Sequence, residues 1–162
     1  FTVPTATRLG AIVDSAGHEG LPTDPLVLRA LEGQAKGASS EQIVGAVTRL
    51  RDAFRLSRRT LGGGASAVEL TTTAAALQAG VPEARIAELH KLRAGMSITA
   101  PLSAYLDLTA RGAAADRAWN RISDLARQRA TDAEFVRLNP ADLDREPPPI
   151  RPPQEPATKE SR

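Results

Sequence analysis

The stretch LVLRALEGQAKGASSEQIVGAVTRLRDAFRLSRRTL, Leu26–Leu61, decides the fold. It reads as two helices joined at Gly37. Asp24 followed by Pro25 offers an N-cap with proline at the first helical position. The helix runs to Lys36, and Gly37 supplies the left-handed residue that closes it. Ser39 or Ser40 then caps a second helix with Glu41 and Gln42 in its first turn. Ile43, Val47, Leu50 and Phe54 repeat at spacings of four, three and four, which predicts one buried seam extended by Leu61. The other faces carry Arg49, Arg51, Arg55, Arg58 and Arg59.

Weaker versions of this phrase recur. Gly37, Gly80 and Gly112 each stand six residues before an apolar residue, Ile43, Ile86 and Ala118. A shift of 75 residues pairs Gly20, Leu31, Lys36 and Gly37 with Gly95, Leu106, Arg111 and Gly112. Self-similarity of this kind points to stacked helix–turn–helix units. The expected fold is all-α, a stack of helical hairpins of about six helices. It has an extended N-terminal lead, Phe1 to Pro4, and a Pro-rich C-terminal tail.

The expected divisions are an N-terminal arm and short helix over 1–19, a first hairpin over 20–61 and a glycine hinge at 62–64. A second helical region spans 65–137, and the tail spans 138–162. In the second region Ile86, Leu89 and Leu92 form one predicted seam, and Ala118, Ile122 and Leu125 another. Trp119, Tyr105 and Phe135 are expected in core or inter-helix packing, with Trp119 equally suited to anchor an interface. The tail, with Pro147, Pro148, Pro149, Ile150, Pro152 and Pro153, has almost nothing to bury and favours polyproline II, so its order would need a partner surface.

The 162 residues are 41% hydrophobic but only 3% aromatic, so the core is built from Ala, Leu, Val and Ile, which favours helices. A net charge of +2 gives no electrostatic footprint for nucleic acid. Cysteine is absent, which removes disulfides and thiolate chemistry. No run approaches the roughly 18 apolar residues of a membrane span. Phe1 in place of Met leads to the expectation of a removed signal peptide and a periplasmic, membrane-peripheral location.

No catalytic pattern is present. His18 and His90 lack companions at metal-ligand spacing and read as surface residues. Gly62-Gly63-Gly64-Ala65-Ser66 lacks the Gly-Lys-Ser/Thr of a phosphate loop. No cofactor or metal site is expected. The partner-binding candidates are Phe1, the arginines Arg49, Arg55, Arg58 and Arg59, and the tail residues Pro147–Pro149, Ile150, Pro152 and Pro153.

The phrase GLP…LVLRALEGQAKGASSEQIVGAVTRL, Gly20 to Leu50, resembles a helical repeat common in exported bacterial proteins. Val81-Pro82 and Arg111-Gly112 keep fragments of it. The resemblance implies an exported helical protein and carries no catalytic residues. In kind, size and location the chain is also similar to the membrane-extrinsic polypeptides that clamp a bacterial photosynthetic reaction centre inside its light-harvesting rings. That similarity implies a non-enzymatic structural subunit bound to protein subunits of a membrane complex. A free periplasmic binding or regulatory module is the alternative.

Overall fold

A computed structural model describes residues 1–144, and all of the regular structure in them is helical. Eight α-helices, against about six expected, follow in order: α1 (Val3–His18), α2 (Asp24–Ala35), α3 (Ser40–Leu61), α4 (Ala67–Gln78), α5 (Glu83–Leu92), α6 (Thr99–Ala110), α7 (Ala115–Arg127) and α8 (Asp132–Val136). A 3₁₀ turn at Pro140–Asp144 ends the described chain. None of these helices is long and apolar enough to cross a membrane.

The N-terminal lead differs from expectation. Helix α1 begins at Val3 because Thr2 adopts the extended backbone of an N-cap and Pro4 sits in the first turn. A proline there loses no hydrogen bond, since that N–H has no intrahelical partner. Three of the other helix starts, those of α3, α4 and α8, follow side-chain chemistry, whereas Asp24 does not cap α2, which begins at Asp24 with no side-chain cap bond. At α3 the Gln42 N–H donates to Ser39 Oγ (3.3 Å) while the Ser39 N–H donates to the Gln42 side chain (2.8 Å). Ser66 with Glu69, and Thr131 with Glu134, build the same reciprocal box at α4 and α8.

The 75-residue correspondence extends to the helix boundaries. Helices α2 and α6 are each 12 residues long, starting at Asp24 and Thr99, and α3 and α7 start at Ser40 and Ala115. Gly37 (φ 69°) and Gly112 (φ 92°) close α2 and α6 alike. In each case the next N–H reaches back five residues, Ala38 to Gly33 O and Ala113 to Leu108 O, both at 3.0 Å.

Two apolar clusters form the core. The first gathers Leu9, Leu26, Ile43, Val47 and Phe54 from α1, α2 and α3. The second gathers Ile86, Leu102, Leu108, Trp119, Ile122 and Phe135 from α5 to α8. They meet on α4, which gives Ala74 to one and Ala76 to the other. Helices α3 and α4 pack directly on each other across the Gly62–Gly64 turn, where Arg58 donates to Gly63 O at 2.9 Å.

Candidate functional site

The polar surfaces are largely occupied by the chain itself. Arg55 donates to Glu19 (Nε to Oε2 2.7 Å), joining α3 to the end of α1. This contact, together with a bond from Ser15, holds the Glu19 carboxyl down at about 2 against some opposition from desolvation. Arg58 bridges two turns, donating to Gly20 O (2.8 Å) as well as Gly63 O. Of the four arginines singled out in the sequence, Arg55 and Arg58 are thus half-buried and engaged, and Arg49 and Arg59 are exposed. The aspartates of the second region are paired too, Asp107 with Arg111, Asp116 with Arg85 and Asp124 with Arg127.

A polar groove between α5 and α7 holds Arg85, Glu88, Trp119 and Arg127. It is laced by ion pairs, with Arg127 reaching both Asp124 (3.0 Å) and Glu88 (3.4 Å). The Arg85 guanidinium stands 5.9 Å from the Trp119 ring, which meets Tyr105 edge-on at 5.5 Å. His90 is half-buried rather than on the surface, and its Nδ1 has no hydrogen-bond partner. Among the described residues, no group of three or more His, Asp or Glu side chains is placed to hold a metal ion.

The surface with the least internal explanation lies on α1 and α2. Of the eight large hydrophobic side chains exposed among the described residues, five are Phe1, Val3, Val27, Leu28 and Leu31. Between the two helices runs a cleft of about 270 Å³. Leu9, Leu26, Ala30 and Val47 form its buried floor, and Val13, Val27 and Leu31 its walls. Phe1, one of the residues singled out in the sequence, lies at its edge and is 46% exposed. Ala6, Gly10 and Asp14, four residues apart along α1, complete the lining. Asp14 makes no hydrogen bond or ion pair among the described residues, so the cleft is an apolar slot with one free carboxylate.

Sequence reasoning passed over this cleft, although α2 carries the signal for it. The helix buries only Leu26 and Ala30, yet it also bears Val27, Leu28 and Leu31. That is more apolar surface than one packed stripe requires. The candidates Pro147, Pro148, Pro149, Ile150, Pro152 and Pro153 lie outside the described residues. No protein-family model, no curated protein and no solved structure matches the chain.

Proposed function

We propose that the chain is a non-catalytic structural subunit, a stack of helical hairpins that binds a protein partner through the α1–α2 face. The observation that carries this reading is the concentration of exposed apolar side chains around the α1–α2 cleft. Phe1, Val27 and Leu31 line the cleft itself, and exposed apolar surface grouped in this way marks interaction sites. Val27 and Leu31 are 44% and 49% exposed, so covering what remains of each contributes about 1 kcal/mol. The occupied polar surfaces speak for the same division of labour, since the ion pairs of Arg55, Arg85 and Arg127 are spent on holding helices together.

Export to the periplasm and attachment to the outer face of a membrane complex are part of the proposal, with the Pro-rich segment as a second strap. The photosynthetic placement rests on kind and size alone, and no residue of the cleft carries it. The partner is therefore specified by chemistry, as a protein surface with an apolar patch.

The test compares the wild-type chain with the double variant Val27→Asp, Leu31→Asp in the native cell. Both positions are exposed, so helicity is expected to be unchanged while the variant leaves the assembly and migrates as a free chain. Equal retention of the two proteins overturns the reading. Deleting residues 146–162 tests the strap separately, and unchanged retention removes that element. The free-module alternative draws on the same cleft and predicts thermal stabilisation by a small apolar ligand.

A further inference from the structure

In the second repeat two positions that correspond to the open surface of α2 are buried or half-buried among neighbouring helices. Helix α6 packs on α7 and is flanked by α4 and by α8. Its Leu102 is buried, and its Leu106 packs against the second cluster. The residues 75 positions earlier, Val27 and Leu31, are 44% and 49% exposed. Helix α2 packs on α3 and α1, and the segment corresponding to α8, residues 57–61, is the last turn of α3. In the second repeat the chain turns at Arg129 and lays α8 back against α6, whereas α3 continues straight.

Helix α8 is seated by one apolar anchor and one charge pair. Phe135 is fully buried, and the Arg93 guanidinium meets Asp132. The open cleft offers the complementary pair of features, an apolar slot beside the unpaired Asp14 carboxylate. Its 270 Å³ lies below the roughly 300–1,000 Å³ of small-molecule sites and suits one large side chain. At Gly10 nothing lies within 4 Å of where a Cβ would stand, so a second backbone can approach α1 closely there.

We propose that the α1–α2 cleft is a docking groove for a single amphipathic helix of a partner protein. That helix inserts one large apolar side chain between α1 and α2 and sets a lysine or arginine against Asp14. The proposal rests on the reading of this face as an interaction surface and specifies its occupant. Recognition is of the helix-in-groove kind, with apolar anchors spaced three or four residues apart.

The experiment uses the full chain and synthetic amphipathic peptides of about 15 residues, near the minimum length for a helix in water. One peptide carries Leu and Phe on one face with a Lys beside them, and its twin carries Glu in place of Lys. Binding is measured by fluorescence anisotropy, and its location by methyl chemical shifts of Val13, Val27 and Leu31. The Lys peptide is expected to shift those methyls and to bind more tightly than the Glu peptide. Asp14→Asn should weaken it about threefold to fivefold, the scale of an exposed ion pair. Gly10→Leu should fill the slot and reduce binding more than tenfold while circular dichroism stays unchanged.

Absence of cleft shifts, or equal affinity for the two peptides, overturns the proposal. So does a wild-type dimer in sedimentation velocity that Gly10→Leu converts to monomer, which would make a second copy the occupant. Leu31-dependent cosedimentation with phosphatidylcholine–phosphatidylglycerol vesicles would overturn it in favour of a lipid surface. If the peptides fail while Val27→Asp, Leu31→Asp still releases the chain from its native assembly, the interaction surface stands and the helical occupant falls.

Discussion

The guanidinium of Arg93 lies 5.0 Å from the centre of the Phe135 ring and donates to Asp132 Oδ1, joining the end of α5 to α8 across the second core. Arg93 is only 2% exposed, and its remaining donors reach Ser97 O (3.0 Å) and Ala130 O (2.8 Å). A buried guanidinium is tolerable because each edge finds an acceptor. Arg93→Ala removes the packing and leaves two carbonyls without these donors, so a loss of about 3–4 kcal/mol is expected in urea unfolding. Asp132 is 60% exposed, so Asp132→Asn, which keeps an acceptor oxygen, should cost only about 1 kcal/mol. Equal costs for the two variants would show that the charge, not the burial, holds α8.

Arg129 is the only non-glycine residue with positive φ (57°) among the described residues. It closes α7 as Gly37 and Gly112 close α2 and α6. Its N–H donates to Ala126 O, and the next N–H, of Ala130, donates to Leu125 O. A side chain pays about 1–2 kcal/mol for left-handed backbone that glycine adopts freely. The Arg129 side chain is exposed, so Arg129→Gly should stabilise the protein by about 1 kcal/mol, raising Tm by about 2–4 °C. A fall in Tm would mean that the arginine makes a contact worth more than the strain.

Much of this architecture was legible because the decisive signals are local. The glycine stop at Gly37 and the cap at Ser39 with Gln42 act within one turn, and they mark the end of α2 and the start of α3. Arg93 was missed although the spacing pointed to it. It stands seven residues after Ile86 and four after Leu89, so the α5 seam runs Ile86, Leu89, Arg93, and the expected Leu92 is only half-buried. Polarity argues against burial there, because two of the three acceptors, Ala130 O and Asp132, lie far along the chain and only Ser97 O is local. Arg55 and Arg58 add long-range partners, Glu19 and Gly20 O, to the local ones, Asp52 and Gly63 O, and only the local ones leave a mark in the sequence pattern.

Several carboxylates predict the response to acid. Glu19 is lowered from 4.5 to about 2, chiefly by its bond from Arg55. Glu41 is lowered chiefly by its bond from Arg8, and Glu69 and Glu134 chiefly by the backbone N–H groups of Ser66 and Thr131. A carboxyl whose folded pKa lies below its unfolded value stabilises the fold above the unfolded pKa. That contribution is lost as pH falls through the folded pKa. These groups should therefore hold Tm level down to about pH 5, with a decline between about 4.5 and about 2. Glu19→Gln should make the acid limb shallower. An unchanged limb would show that the Arg55 contact does not persist in solution.

The two repeats solve one packing position in opposite ways. A Cβ at Gly33 would stand 2.8 Å from Ile43 Cγ1, so α2 and α3 approach closely with the large side chain on α3. At the corresponding positions of the second repeat the sizes are exchanged: Leu108 on α6 and Ala118 on α7, both fully buried. Gly33→Leu alone overfills the interface, and a cost of about 1–3 kcal/mol or more is expected. Ile43→Ala alone opens a cavity and should cost about 2–5 kcal/mol. The double variant Gly33→Leu, Ile43→Ala copies the second repeat. It should recover at least half of the summed loss, a coupling of about 1–3 kcal/mol in a double-mutant cycle. Simple additivity would mean that the α2–α3 and α6–α7 interfaces are not equivalent, and the 75-residue correspondence would then end at the helix boundaries instead of reaching the side chains.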